Sequence, residues 1–185
     1  MKILAISGSL RADSYNTALA RAAAERAPEG TEIEVYERLA DIPPYDADGD
    51  GEDAPEAVRD FRERIARADA LLFVTPEYNG SISGVLKNAI DWASRPPRGG
   101  ASIWGKTAAV AGVTTGQFGA IWAQQDLRRI LGIAGVRVIE GELPVAQAQN
   151  VFDEDRHLRD PLLAQRLRAH LENLAHEAAA LQLAA

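Results

Sequence analysis

The sequence predicts an α/β domain: a doubly wound, five-stranded parallel sheet of order 2-1-3-4-5 with helices on both faces. Three observations carry that expectation. Five short apolar runs alternate with longer segments of helical period. The runs at the start of the chain, at Ala70–Thr75 and at Thr107–Val113 are almost wholly apolar, as strands covered on both faces are. Three of the runs end in loops of small and polar residues, at the carboxyl ends of strands where such sheets bind ligands.

In chain order, Ile3–Ile6 reads as a buried central strand and Thr17–Arg26 as the helix that follows it. Ile33–Tyr36 is the second strand. The acidic stretch Asp46–Asp53 sets Asp46, Asp48, Asp50 and Gly51 as in the first half of an EF-hand loop. Ala57 stands where the bidentate glutamate belongs, so a solvated surface loop is expected there, with Asp53 or Ala54 capping the next helix and no metal site. Helix Glu56–Ala68, strand Ala70–Thr75, helix Val85–Ser94, strand Thr107–Val113 and helix Ala120–Leu131 follow. Strand Val136–Ile139 and helix Pro161–Leu183 complete the alternation. Right-handed crossovers from a first strand near the middle produce the 2-1-3-4-5 order.

A chain of 185 residues fits one domain, taken here as 1–185. No apolar stretch reaches the roughly 20 residues that cross a bilayer, and the short N-terminal run is no signal peptide, so a cytoplasmic protein without membrane insertion is expected. There is no cysteine, which removes disulfides, thiolate metal sites and a thiol nucleophile; any redox chemistry belongs to a bound cofactor. The net charge of −7 argues against nucleic-acid binding, which rewards a basic footprint.

An anionic ligand therefore needs local positive groups, and the first loop, Ser7-Gly8-Ser9-Leu10-Arg11-Ala12-Asp13-Ser14-Tyr15-Asn16, has them. Small residues let a ligand approach free backbone N–H groups. Ser9 and Ser14 add hydroxyls, the helix starting near Ser14 directs its positive end into the loop, and Arg11 contributes a fork matched to phosphate. The loops after the third and fourth strands, Pro76-Glu77-Tyr78-Asn79-Gly80-Ser81 and Val113-Thr114-Thr115-Gly116-Gln117-Phe118-Gly119, converge on the same crevice. Lys87 and Asp91, four apart, suit a helix-surface ion pair. Trp92 and Leu86 suit a core or interface. His157, His170 and His176 have no partners suggesting a triad or metal site and are expected at the surface or an interface.

Together these loops resemble the NADPH-dependent FMN reductase family of flavodoxin-like proteins, which includes bacterial quinone and chromate reductases. The motifs that carry the resemblance are Gly8–Asn16, Thr75-Pro76-Glu77-Tyr78-Asn79-Gly80-Ser81 and Gly84-Val85-Leu86-Lys87-Asn88-Ala89-Ile90-Asp91-Trp92. It implies that Ser9, Arg11, Ser14, Tyr15, Asn16 and Thr17 surround the FMN phosphate. Pro76, Glu77, Tyr78 and Asn79 would run along the isoalloxazine, Gly80 would let the backbone approach it, and Thr114, Thr115 and Gly116 would close its other side. Ser83 stands where the family commonly has proline, and Gly119 is followed by Ala120, Ile121 and Trp122 where a basic residue is common.

The expected activity is hydride transfer from NADPH or NADH to FMN and then to a small-molecule electron acceptor such as a quinone, flavin, azo compound or chromate. The flavin carries the reactivity, so no catalytic side chain is assigned. Arg95 and Arg98 are candidates for the 2′-phosphate of NADPH. A homodimer or homotetramer is expected, both from the resemblance and because Tyr78, Trp92 and Trp122 gather around helices in need of a partner surface. Two alternatives are a flavodoxin-like electron carrier without NAD(P)H activity and a regulatory module holding another phosphate compound.

Overall fold

The computed structural model describes residues 1–51, 53–96 and 100–183. Strands β1 (Lys2–Ser7), β2 (Glu32–Tyr36), β3 (Ala70–Thr75) and β4 (Thr107–Val113) alternate with helices α1 (Tyr15–Glu25), α2 (Glu56–Arg67), α3 (Gly84–Ala93) and α4 (Ile121–Ile133). Two short strands, β5 (Arg137–Val138) and β6 (Leu143–Val145), a short helix α5 (Ala148–Val151) and the long α6 (Pro161–Leu183) follow. All pairings are parallel in the order β2-β1-β3-β4-β5, with β6 also on β4. The doubly wound, flavodoxin-like sheet is the one expected.

Alternation along the strands divides the core. Ile3, Ala5, Leu72, Val74, Ala109 and Ala111 face α1 and α6, while Leu4, Ile6, Leu71, Phe73, Ala108 and Val110 face α2, α3 and α4. Leu163, Leu167, Leu171 and Leu174 recur at helical spacing on α6, and all are buried against the sheet. Burying each such side chain contributes about 1.5–3 kcal/mol.

The fifth strand differs from expectation. Rather than one run over Val136–Ile139, the edge is split: β5 pairs with Thr107 and Ala108, and β6 pairs with Ala111–Val113 further along β4. Between them the chain leaves the sheet through Glu140-Gly141-Glu142, where Gly141 has φ +83°. This gap leaves the Val110 carbonyl without a strand partner, and His170 on α6 supplies one, its Nε2 lying 3.0 Å away. A carbonyl only accepts, so Nε2 carries the hydrogen. His170 is therefore a partly buried sheet-edge partner rather than a free surface residue, and desolvation pushes its pKa below the usual value.

Other expectations shift for local reasons. α2 starts after Pro55, not after an Asp53 or Ala54 cap, since Pro at that position presets the turn into the helix. Asp50, in the acidic loop, is paired with Arg62 at 2.8 Å. Trp92 is buried beneath Arg62, with its indole N–H donating to the Pro43 carbonyl at 2.8 Å, so it belongs to the core and offers nothing to a partner. Lys87 and Asp91 form the expected ion pair at 2.7 Å.

Candidate active site

Register brings the three loops together. Ser7 of β1 aligns with Val74 of β3, and Thr75 of β3 aligns with Gly112 of β4, so the segments following them leave the sheet side by side. They enclose a crevice of about 160 Å³ lined by Ser9, Arg11, Ser14, Tyr15, Asn16, Pro76, Glu77, Tyr78, Val113, Thr114 and Thr115. Ten of the expected site residues are thus gathered in one place. Thr17, Asn79, Gly80 and Gly116 are not in the lining, and Val113 joins it without any sequence signal.

At the β1 end the loop is held from outside and left open within. Ser14 caps α1, its Oγ accepting from the N–H groups of Asn16 (3.2 Å) and Thr17 (3.3 Å). Ser9 Oγ accepts a long bond from the Arg11 N–H, 3.4 Å, so both hydroxyls keep a hydrogen to donate. Among the described residues, the N–H groups of Leu10, Ala12, Asp13 and Ser14 have no protein acceptor, and the exposed Arg11 side chain has no partner. Free amides, two hydroxyls, a guanidinium and a helix N-terminus make a donor set that fits a phosphate.

Asn16 and Thr17 serve that end indirectly. The buried Asn16 amide grips β4 twice, donating to the Val113 carbonyl (3.1 Å) and accepting from the Val113 N–H (2.9 Å). Thr17 Oγ1 pairs with Ser7 Oγ at 2.9 Å. Ser83, where proline was the familiar residue, caps α3 by accepting from the Leu86 N–H and donates to the Gly8 carbonyl at 2.5 Å. A single hydroxyl thereby joins the α3 start to the first loop.

At the β3 and β4 end the loops are braced by bonds of their own, while the N–H groups of Glu77, Asn79, Gly80, Thr115 and Gly116 have no protein acceptor among the described residues. Tyr78 and Ser81 exchange both backbone hydrogen bonds (3.0 and 3.1 Å) around Asn79 at φ +54° and Gly80 at φ +75°, the backbone of a type I′ turn. Asn79 and Gly80 form its tip, which is why they stand off the crevice. Glu77 caps α4 by accepting from the Ala123 N–H at 3.1 Å. Ser81 Oγ donates to Asp126, and this bond together with Arg129 holds the Asp126 carboxyl below its usual pKa.

The third loop is pinned by the chain segment after β5. Thr114 N–H donates to Val145 (3.0 Å), Gln147 N–H to Gly116 (2.9 Å) and Ala148 N–H to Thr114 (3.0 Å). The two segments touch closely at Gly119: at its φ of +59°, a Cβ would lie 2.6 Å from the Val145 nitrogen. Tyr78 in the lining and Phe118 and Trp122 outside it remain 50%, 60% and 48% exposed, and the Phe118 and Trp122 rings meet at a tilt of 56° with centroids 4.9 Å apart.

A larger concavity of about 740 Å³ lies elsewhere, between α3 and α4, with the Lys87–Asp91 and Asp126–Arg129 pairs on its walls. It lies off the strand ends. Arg95 lines this groove and sits over the Tyr45 ring, so it is not at the crevice; Arg98 lies outside the described residues.

A ligand suited to the crevice is anionic at the β1 end, and the fold places it where the strand order reverses. Flavodoxin-like FMN-binding oxidoreductases are the class of protein these features define. A sequence model of the NADPH-dependent FMN reductase family matches residues 1–150. An NAD(P)H-dependent FMN reductase of Pseudomonas aeruginosa is 45% identical over 175 residues, covering 94% of this chain and 93% of that protein. A quinone reductase of Pseudomonas putida is 41% identical, covering 85% of this chain and 84% of its own. Among solved structures, the flavoenzyme NAD(P)H:(acceptor) oxidoreductase FerB of Paracoccus denitrificans superimposes with a TM-score of 0.85 at 35% identity, covering 96% of both chains. The chain belongs to the NADPH-dependent FMN reductase family and is an NAD(P)H-dependent, FMN-using oxidoreductase.

Proposed function

We propose that the crevice holds FMN with its phosphate in the loop Ser9–Ser14 and its ring between Pro76–Tyr78 and Thr114–Thr115, and that a quinone is the second substrate. The observation that carries the placement is the gathering, in one loop, of unpartnered amides, the unpaired Arg11 guanidinium and the N-terminus of α1. FMN held there would supply the redox chemistry, two-electron transfer from NADPH or NADH to the acceptor. Arg11, Ser9, Ser14 and the first-loop amides anchor the phosphate end. The rigid Tyr78–Ser81 turn and the pinned Thr114–Gly116 segment fix the walls between which the ring lies, so that one face stays open to two substrates in turn. No side chain of the crevice is required as acid or base.

The quinone assignment is supported by the Pseudomonas putida relative's name and by the half-exposed Tyr78 ring in the crevice lining. We further propose a cytoplasmic homodimer or homotetramer with the crevice near a subunit boundary; the exposed rings of Tyr78, Phe118 and Trp122 support it. No helix among the described residues is long and apolar enough to cross a membrane. A monomer by light scattering at micromolar concentrations overturns the oligomer.

The functional test is anaerobic titration of the FMN-loaded protein with NADPH and with NADH, followed by a quinone. Flavin bands that bleach and then return support the reading. Bands that persist with both nucleotides overturn it in favour of an electron carrier.

A further inference from the structure

Arg156 is one of four non-glycine residues with positive φ among the described residues, at +67°. It lies in the link between α5 and α6, beyond the span matched by the family model. An L-residue there is strained, so the conformation persists only where surroundings impose it. Those surroundings are a small hairpin. Phe152 and Leu158 pair across it, Asp153 N–H donates to the His157 carbonyl (3.0 Å), and Arg156 N–H donates to the Asp153 carbonyl (3.1 Å).

The hairpin aims the Arg156 side chain at the entrance of α1. Its guanidinium lies 4.3 Å from the centroid of the Tyr15 ring, NH1 donates to the Tyr15 hydroxyl (3.3 Å) and Nε donates to the Asp13 carbonyl (3.4 Å). Phe152 meets the same ring, with centroids 5.6 Å apart. Tyr15 is thus held between two side chains of the hairpin.

We propose that Arg156 is a positioning residue for the cofactor phosphate, acting through Asp13, Ser14 and Tyr15. The physical link is the planarity of the Asp13–Ser14 peptide. In a trans peptide the C=O and N–H point in opposite directions, so fixing the Asp13 carbonyl on Arg156 turns the Ser14 N–H away from it. Ser14 lines the crevice and its N–H has no protein acceptor among the described residues; Arg156 is not a lining residue. The guanidinium therefore orients one phosphate donor and clamps the first residue of α1, and its charge adds to the positive field of Arg11 and the helix terminus.

This inference rests on the phosphate placement proposed above. The test is Arg156→Gly, which removes the guanidinium while admitting the left-handed backbone without strain. We expect the melting temperature of the FMN-free variant to be unchanged or higher, FMN to bind about tenfold more weakly, and riboflavin, which lacks the phosphate, to bind as to the parent. The signature is thus a tenfold fall in preference for FMN over riboflavin at intact stability. FMN and riboflavin weakened equally, or FMN affinity unchanged, overturns the role of Arg156. Arg11→Ala separates the two failures: if it weakens FMN while Arg156→Gly does not, only the positioning role falls. If neither variant weakens FMN, the phosphate placement falls with it.

Discussion

The two ends of the crevice are built on opposite plans. The loop after β1 makes few bonds within itself; it is fixed from outside, by Ser83 on Gly8 and by the Ser14 cap, and its amides are left over for a ligand. The segments after β3 and β4 are braced instead. The Tyr78–Ser81 turn closes on itself, Glu77 is used on α4, and Thr114–Gly116 is laced to β6 and α5. The difference therefore lies in charge and bracing: at one end free amides stand with a guanidinium and a helix N-terminus, a set suited to an anion, whereas at the other the free amides of Glu77, Thr115 and Gly116 stand on braced segments with no cation among them.

That contrast can be broken most forcefully at the wall. Gly119→Ala forces a side chain into a left-handed position and against the Val145 backbone, and we expect a loss of about 2–5 kcal/mol of stability by thermal or denaturant unfolding. A loss below 1 kcal/mol would mean that the β4–β6 packing yields. Next comes the tie between the two ends. Asn16→Ala leaves the Val113 N–H and carbonyl buried without partners at a cost of about 2–3 kcal/mol, with weakened FMN binding as a consequence of the loosened α1 entrance. Equal stability of variant and parent would show that another group takes over these bonds.

A smaller effect sharpens the comparison through pH. Burial depresses the His170 pKa, so the unfolded chain binds the proton more readily than the folded one, and the folded state loses stability as pH falls from 6.5 towards the native value. The slope for one group cannot exceed about 1.4 kcal/mol per pH unit. His170 holds Val110 at the β5–β6 gap, behind the wall and away from the phosphate loop. His170→Gln should flatten the pH dependence of the melting temperature in that window, and an unchanged slope contradicts the assignment.

The same contrast explains what was legible in the sequence. Central strands announce themselves because burial on both faces permits only apolar residues, as Ala70–Thr75 shows. The donor-rich first loop is legible because free donors require glycine, serine and arginine in a local string. Residues whose role depends on distant partners were less so. Asn16 and Thr17 share the loop's composition, yet their side chains are taken up by Val113 and Ser7. Asn79-Gly80 reads as readily as a turn or as a flavin contact, and register makes it the turn tip. The Val110 carbonyl left open by the split between β5 and β6 is met by His170, 60 residues away, a pairing that no local pattern encodes.

The most direct measurement combines the two ligands and the two proteins: dissociation constants of FMN and riboflavin for the parent and for Arg11→Ala, followed by flavin fluorescence. If the first loop is the phosphate anchor, Arg11→Ala weakens FMN by about 1.5–3 kcal/mol and leaves riboflavin unchanged. Equal losses for both ligands, or none for either, would contradict that placement.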